Sequence, residues 1–464
     1  MSKGVLASFA ALAASAGVAF GQGPPSAAPQ SIPGLGAAAP ISAPSTTAPL
    51  PGAGGFLPQA TEMPHTGVVG GSPMAYPGFP TTFGEAPTGG ASYDGPMSGS
   101  QQVHKAAGGP DRCWIDVEYL TWRVRSLPIP FPLAVASPPA SQGILGQEGT
   151  RVLFGNDNLD YGNYFNVLRL TGGVWGQDRI WGLGLSGFIQ EARSDIGEFV
   201  APINGRQVLA RPLIDALTGQ ASAVLVGFPG QFSGDMFINA RMKLGGAEAN
   251  ILRSCVYCDR FKLNFLAGVR YIDHDETLYL TSRSTFPNAL VPEDPTFVDI
   301  YDEFACRNQF FGGQVGFDME FRHRRFFIDL TGKIAIGNQH EELLVRGFTN
   351  TQIGGVTTIV PYGMLALAGN SGVFNDNEFA YVPEGTVKFG YQWTQRFSTF
   401  VGYNILYISR VLRPGDQIDP YINPVFLPVS QLYGGDFGPV RPINSFNKSD
   451  IWVQGVTFGL SLRF

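Results

Sequence analysis

The sequence predicts an all-β protein: an antiparallel transmembrane β-barrel of about ten strands in the outer membrane, with twelve strands as the alternative. Three observations favour this fold class. The chain ends in a strictly alternating strand. No run of about 18 uncharged apolar residues lies beyond the first 19 residues, so only strands are available to cross a membrane. The predicted strands are also joined alternately by short turns and long loops, as in outer-membrane barrels.

The end of the chain contains the clearest strand signal. Its apolar side chains fall on one face and its small or polar ones on the other, as a strand between lipid and lumen requires. The terminal aromatic residue resembles the signal that the outer-membrane barrel-assembly machinery reads. We expect membrane lipid and this machinery as partners, with an assembly signal formed by Val456, Phe458, Leu460, Leu462 and Phe464.

The beginning of the chain has the features of a secretory signal peptide. Lys3 precedes an apolar stretch, and Ala19 and Gly21 are small residues at the positions that signal peptidase inspects. We therefore predict a cleaved signal peptide at 1–21. Residues 22–110 are dominated by Pro, Gly, Ala, Ser and Thr, which bury too little apolar surface to fold, so we predict a disordered linker there. The barrel domain is predicted at 111–464.

Composition supports a membrane location. Charged residues make up 15% of the chain, against about 25% in soluble proteins, whereas Gly (60) and Phe (35) are abundant. Lipid would replace part of the charged surface. The net charge of -6 includes no block of Lys and Arg, so nucleic acid is not an expected partner.

Ten stretches show the alternating faces of half-buried strands. The clearest lies at 261–271, where Phe, Leu, Val and Tyr alternate with Lys, Asn, Gly and Arg. In another, the apolar parity changes between Leu244 and Ala247, and the Gly245-Gly246 pair there predicts a β-bulge. The predicted strands are 114–123, 163–175, 179–191, 237–253, 261–271, 308–322, 326–336, 379–393, 397–410 and 451–464.

The connections between these strands fall into two classes. Sorting of this kind is typical of short periplasmic turns and long extracellular loops, and it places both ends of the barrel domain in the periplasm. A soluble β-sandwich would not sort its loops in this way. A short hairpin within 421–426 would raise the strand number to twelve. Tight connections are predicted near 176–179, 253–260, 322–326 and 393–397, and long ones near 124–162, 192–236, 283–303, 347–377 and 412–449.

The tryptophans lie near the ends of predicted strands. Aromatic girdles occur at these depths in outer-membrane barrels, so we predict that the indoles form such girdles. The residues are Trp114, Trp122, Trp175, Trp181, Trp393 and Trp452.

Several segments of the barrel domain, taken in order, resemble a family of planctomycete outer-membrane β-barrel proteins that are porin-like. The likeness extends over most of 113–464. It implies an outer-membrane barrel and does not specify an activity. The segments are WIDVEYLTW (114–122), GAEANIL (246–252), GVRYID (268–273), RNQFFGGQVG (307–316), FVGYN (400–404) and RPGDQID (413–419).

Charged residues of both signs fall on the lumen-facing side of the predicted strands. A ten-stranded barrel is narrow, so these charges should pair across it and leave little free channel. The leading functional hypothesis is a narrow porin-like channel for ions or small solutes, and the alternative is a structural or adhesive surface protein that displays long loops. The predicted lumen-lining residues are Asp116, Glu118, Arg169, Glu248, Lys262, Arg270, Asp318, Glu320, Asp329, Lys333, Glu384, Lys388 and Arg463.

A second alternative is a hydrolase at the barrel rim, for which His274 and His340 are the candidates. His274 is flanked by carboxylates in Asp273-His-Asp-Glu276, and a histidine in such a setting can act as a general base or bind a cation. The chain contains no metalloprotease, serine-hydrolase, P-loop or dinucleotide motif. We therefore expect no catalytic residues, no metal and no cofactor, and a protein that is not an enzyme.

Two cysteines lie in a predicted periplasmic turn, an oxidising location. Cys255 and Cys258 have the spacing of a redox motif, but the strand–helix–strand setting of that motif is absent. We therefore predict a local disulfide between them that tightens the turn.

Overall fold

The computed structural model describes residues 112–162, 164–258, 260–287 and 295–464, so the predicted signal peptide and linker lie outside the described residues. Within these ranges no helix is long and apolar enough to cross a membrane. In chain order the strands are β1 (Cys113–Val124), β2 (Leu127–Ser137), β3 (Arg151–Leu159), β4 (Phe165–Trp175), β5 (Trp181–Gln190), β6 (Arg193–Ala201), β7 (Val208–Asp215), β8 (Ala221–Gly227), β9 (Ser233–Tyr257), β10 (Phe261–Thr285), β11 (Pro295–His323), β12 (Phe326–Ile353), β13 (Val356–Val360), β14 (Gly372–Gln392), β15 (Phe397–Leu412), β16 (Tyr421–Ile422) and β17 (Lys448–Arg463).

Ten of these strands close into an antiparallel ring. Its order is β1-β4-β5-β9-β10-β11-β12-β14-β15-β17, and β17 pairs with β1. Closure continues to the last residue, because the main chains of Cys113 and Phe464 exchange hydrogen bonds of 2.7 and 2.9 Å. The ten predicted barrel strands are therefore confirmed.

Four short turns lie at one end of this ring, which we call the turn end. They connect β4 to β5, β9 to β10, β11 to β12 and β14 to β15. The other end, the loop end, carries the remaining connections. The predicted sorting of short and long connections is therefore present in the structure.

Strands β9 to β12 are much longer than a membrane requires. They contain 25, 25, 29 and 28 residues, whereas a tilted transmembrane strand needs about 9–11. Their side-chain pattern changes along their length. Near the turn end of β10 the outward side chains of Phe265 and Val269 are exposed, whereas nearer the loop end Leu278 and Leu280 on the inward face are fully buried. Each strand therefore changes its apolar face as it leaves the lipid.

This change of face corrects the bulge prediction. The register between β9 and β10 runs without interruption through Gly245 and Gly246, so the predicted bulge is absent there. The register shift lies instead at Cys255, near the turn end. The apolar parity changes between Leu244 and Ala247 because the environment around β9 changes while its backbone stays regular.

The lengths of three predicted loops were wrong for the same reason. Much of 192–236, 283–303 and 347–377 is strand in the structure. Where these segments continue the ring strands β9 to β12, they retain a period of two with the apolar and polar faces exchanged, so a search for lipid-facing alternation ends too early. β7, within 192–236, does not follow this pattern, because its residues are buried on both faces.

A second sheet of five strands lies at the loop end, and we call it the cap sheet. Its order is β16-β7-β2-β3, with β8 beside β7. β16 pairs in parallel with β7 through Tyr421 and Ile422. The predicted hairpin within 421–426 is therefore absent, and the alternative of a twelve-stranded ring is wrong.

One hydrophobic core joins the cap sheet to the walls of the barrel. It forms because apolar side chains alternate inward on the cap strands as well as on the upper parts of the ring strands. Its fully buried members include Leu127, Leu278, Phe304, Leu343 and Ile451.

Candidate functional site: the charged interior of the barrel

A cluster of ion pairs crosses the interior near the middle of the barrel, and we call it the central cluster. Its centre is Glu384, whose carboxylate lies 2.6 Å from Arg270, 3.0 Å from Arg169 and 3.2 Å from Lys333. Lys333 also lies 2.8 Å from Glu248. These five residues come from β14, β10, β4, β12 and β9, so the cluster ties together strands from different parts of the ring. Buried charges are stable only when paired in this way.

A second group of ion pairs lies nearer the turn end. Glu320 contacts three cations, with Lys262 at 2.8 Å, Arg322 at 3.0 Å and Arg463 at 3.1 Å. On another part of the wall, Lys388 lies 2.7 Å from Glu118. The barrel interior is thus lined by charges that neutralise one another.

Hydrogen bonds from neutral side chains hold two further carboxylates. Asn264 donates to Asp318 at 3.2 Å, and Thr331 is 3.2 Å from both Asp318 and Asp329. Asp116 differs from these, because its Oδ1 atom is buried and accepts no hydrogen bond from the described part of the chain.

A cavity of about 280 Å³ lies between the central cluster and the turn end. Eleven of the thirteen predicted lumen-lining residues border it, and the other two, Arg270 and Glu384, are buried in the central cluster. The cavity is also bordered by residues next to the short turns, including Arg112, Trp175 and Tyr257. It is therefore a vestibule at the turn end of the barrel.

The loop end of the interior is closed by the hydrophobic core and by a buried ion pair. Arg413 and Glu276 are both fully buried, and their side chains form two hydrogen bonds of 2.9 and 2.7 Å. Arg413 also donates to the carbonyl of Ser126 at 2.7 Å, and Tyr161 donates to Glu276 at 2.6 Å. Burial raises the pKa of the Glu276 carboxyl, but the Arg413 guanidinium outweighs burial and holds that pKa below its usual range.

A second buried ion pair joins the cap sheet to the barrel wall. Arg211 of β7 donates to Asp302 of β11 at 2.6 Å. The other carboxylate oxygen of Asp302 accepts from the main-chain N–H groups of Met364, Leu365 and Ala366 at 2.8–2.9 Å. One carboxylate thus fixes three segments of the chain, which favours a rigid loop end.

The sequence of the barrel domain matches the family described as "Putative beta barrel porin-7 (BBP7)" over residues 114–464. The chain belongs to this family. The resemblance to porin-like outer-membrane barrels is thereby confirmed, and the protein is an outer-membrane β-barrel of a porin-like family. No curated protein matches the chain.

Solved outer-membrane barrels are distantly similar to this porin-family barrel. The outer membrane protease OmpT from Escherichia coli shares 10% identity with a TM-score of 0.34, and the match covers 76% of this chain and 97% of that chain. A FadL homologue from Pseudomonas aeruginosa shares 8% identity with a TM-score of 0.24, covering 76% and 90%. An anion-selective porin from Comamonas acidovorans shares 9% identity with a TM-score of 0.10, covering 75% and 100%. Likenesses at this distance assign no activity.

The two histidines proposed for a rim site are not brought together. His274 faces the interior of this porin-family barrel and is buried, and the side-chain amide of Asn308 lies 3.2 Å from its Nδ1. Burial lowers the pKa of His274, which favours the neutral ring. His340 is half-buried on another strand, where it contacts Asn377 at 3.1 Å. Among the described residues no group of three His, Cys, Asp or Glu side chains is arranged to hold a metal ion.

The predicted disulfide between Cys255 and Cys258 is not formed in the structure. Both thiols are free and exposed. Cys255 is the extra residue at the register shift of β9, and its Sγ lies 3.8 Å from the carbonyl of Arg253, whereas the Sγ of Cys258 lies 3.2 Å from the carbonyl of Phe261.

The tryptophans divide between the two faces of the wall. Trp181 and Trp393 are exposed on the outer surface near the turn end, as a girdle requires. The girdle prediction is wrong for three of the others, because Trp122 is buried in the core and Trp114 and Trp175 border the vestibule. The alternation of β1 places Trp114 on the same face as Asp116 and Glu118.

The closing strand has the alternation that the sequence predicts. Its apolar side chains are exposed on the outer face, while Thr457 and Ser461 between them are buried. Recognition by assembly machinery stays a prediction. The exposed side chains are Val456, Phe458, Leu460, Leu462 and Phe464.

Sequence reasoning missed the residues that close the loop end. The sequence identifies Glu276 only as one of the carboxylates that flank His274, and Arg413 only as part of the family resemblance. The signal that identifies them is the exchange of faces along β10: once Leu278 and Leu280 are recognised as inward-facing, Glu276 must face inward as well.

Proposed function

We propose that this protein is a closed outer-membrane barrel that holds a rigid folded cap at the cell surface. The observation that carries the proposal is the continuous core between the cap sheet and the barrel walls, which is fixed by the buried Arg413–Glu276 pair. A set of flexible loops would not enclose an ion pair with both partners fully buried. The cap is therefore the structural or adhesive surface that the barrel displays.

The orientation is part of this proposal. Short connections face the periplasm and long ones the exterior in bacterial outer-membrane barrels, so the turn end is assigned to the periplasm and the cap to the cell surface. The vestibule then opens to the periplasm.

A narrow channel for ions or small solutes is the second candidate. The vestibule favours it, because a cavity lined by charged side chains extends from the turn end to the central cluster. Conduction would require the central cluster and the core above it to move. A rim hydrolase is not proposed, because the buried His274 of β10 faces the interior whereas His340 of β12 lies on the outer face.

Planar-bilayer conductance of the folded full-length chain separates the two candidates. If the barrel is closed, we expect no ion conductance from the wild-type chain or from the Lys333→Ala and Glu320→Ala variants. Arg283→Ala is the matched control, because it also removes one cation from an ion pair but lies on the exposed outer wall, 2.5 Å from Asp299.

Discrete conductance steps from the wild-type chain, with an ion preference that shifts in Lys333→Ala but not in Arg283→Ala, would reject the closed-barrel proposal and support the channel. Steps that appear only in Lys333→Ala would identify the central cluster as a seal and would also favour the channel. Heat-modifiable migration on gels verifies that every variant is folded.

A further inference from the structure

Two indoles stand on the inner wall of the vestibule, where an aromatic girdle has no role. Trp114 of β1 and Trp175 of β4 both border the cavity, and their ring centroids are 5.9 Å apart with a tilt of 34°. The lipid-facing tryptophan at the same end, Trp181, is on the opposite side of the wall. The inner pair therefore needs an explanation other than membrane anchoring.

Glycines in the wall make room for these rings. Gly173 is directly opposite Trp114, and a methyl group on Gly173 would overlap the indole at 2.2 and 2.5 Å. Gly182 is opposite Trp175, and a methyl group there would lie 2.8 Å from that ring. Each indole thus lies over a glycine of the wall, which leaves the rest of the ring to border the cavity.

Neutral hydrogen-bonding groups lie on the same side of the vestibule. The hydroxyls of Thr171 and Ser186 pair with each other at 2.8 Å, and both residues border the cavity. Asp116, two residues after Trp114 on the same face, has the Oδ1 atom that accepts no hydrogen bond from the described residues. A ligand hydroxyl that reaches this buried oxygen can donate a hydrogen bond to it.

The paired lysines of the vestibule do not favour an anionic ligand. The cations that border it from the opposite wall are already paired, Lys262 with Glu320 and Lys333 with Glu248, each at 2.8 Å. An anionic ligand directed at these lysines would have to break such a pair, whereas a neutral ligand would use only the remaining hydrogen-bonding groups and the ring faces.

We propose that the vestibule binds a neutral sugar or a related polyol, with a ring face of the ligand on Trp114 and a ligand hydroxyl donating a hydrogen bond to Asp116. The C–H groups of a pyranose face pack on the electron-rich face of an indole, and its hydroxyls need the donors and acceptors found beside it. The cavity volume of about 280 Å³ is at the small end of ligand pockets, which suits a monosaccharide or a disaccharide.

Saturation-transfer difference NMR on the folded full-length chain in detergent tests this proposal. Glucose and maltose are the neutral probes, and glucuronate and glucosamine are charged probes of similar size. We expect signals from the ring protons of at least one neutral probe and a weaker response from glucuronate. No signal from either neutral probe, or tighter binding of a charged one, would overturn the proposal.

Two substitutions at one position separate ring stacking from simple filling of space. Trp114→Phe retains an aromatic face over Gly173 and should weaken binding only a few-fold, whereas Trp114→Leu fills the space without a ring and should weaken it about tenfold or more. Trp181→Ala, at the same barrel end but facing lipid, is the matched control and should bind as the wild type does.

Equal binding by Trp114→Leu and the wild type would reject the indole platform, and so would an equal loss in Trp181→Ala. Because binding at equilibrium does not require conduction, this result is independent of the conductance measurement. If the barrel conducts no ions in a bilayer and yet binds maltose, both proposals are supported.

Discussion

The turn-end and loop-end halves of strands β9 to β12 have the same backbone regularity and opposite interiors. In the turn-end half, apolar side chains such as Val269 face outward and charged ones such as Lys262 and Arg270 face inward. In the loop-end half, Leu278 and Leu280 face inward, whereas Asp275 and Arg283 are on the outer face. The medium outside the wall decides this arrangement: lipid selects apolar side chains, and water does not.

The difference also determines what holds each half together. In the membrane the apolar surface is turned to lipid, so the interior is joined by ion pairs such as those around Glu384. Beyond the membrane the hydrophobic effect returns, and the apolar core under the cap contributes about 25 cal/mol for each Å² of apolar surface buried. Each of these strands thus borders a charged interior in its turn-end half and an apolar interior in its loop-end half.

Deletion of Phe464 should have the largest effect, because it removes the end of the proposed assembly signal and the main-chain pairing with Cys113. We expect most of the chain to be lost from the outer membrane, as measured by fractionation and immunoblotting. Phe464→Ala retains the main chain and tests the side chain alone. Replacement of 428–438 in the cap by a short linker should leave membrane levels near normal. Equal loss in the cap variant would mean that assembly depends on both halves.

Arg413→Ala should strongly destabilise the loop-end half, by about 3–5 kcal/mol, because it leaves the buried Glu276 carboxylate without its cation. Arg410→Ala is the matched control, since Arg410 pairs with Glu378 at 3.3 Å in the same half and the two side chains are 61% and 29% exposed, and it should cost about 0–1 kcal/mol. Hydrogen exchange of cap amides measures both. Similar protection in the two variants would show that the buried pair does not fix the cap.

An arginine scan on the outer face of β10 tests the change of medium. Val269→Arg places a charge in lipid and should cost about 2–4 kcal/mol near the membrane midplane. Thr281→Arg, on the same face twelve residues further, should change the free energy of unfolding by no more than about 0.5 kcal/mol. Reversible unfolding from lipid vesicles in denaturant gives both values. A similar cost at both positions would contradict the assignment of the loop-end half to water.

Acidification should weaken the loop-end half by a smaller amount. Because burial lowers the pKa of His274, the unfolded chain takes up a proton first as the pH falls below about 6.5, and the folded state loses stability. Glu276 also makes the folded state less stable in acid. Arg413 lowers the pKa of Glu276 in the folded state, so the stability that Glu276 contributes is present above its unfolded pKa of about 4.3 and is lost as the pH falls through the folded value.

The measurement is hydrogen exchange of cap amides between about pH 7 and pH 3. His274→Gln should remove the first step of the decrease and leave the second. A cap that gains protection on acidification would contradict both assignments.

Much of the fold was predictable because lipid imposes a strong pattern. The ten ring strands follow from alternation, as in the closing strand, and the two classes of connection follow from where that alternation stops. The thirteen candidate lumen residues were identified by parity alone. Parity does not tell which charge pairs with which, so the central position of Glu384 among Arg169, Arg270 and Lys333 could not be predicted.

By itself the sequence determined the membrane-spanning ring, since a period of two between lipid and lumen is a local property of each strand. Tertiary structure decided the loop end, where Leu127 of β2, Leu278 of β10 and Leu343 of β12 meet in one core although they are far apart in the chain. It also decided that Trp114 and Trp175 border a vestibule, because a tryptophan near a strand end has the same local pattern on either side of the wall. The physical reason is that the alternation of a strand does not specify the surroundings of either face: whether a face contacts lipid, water or another segment depends on where the whole ring places it.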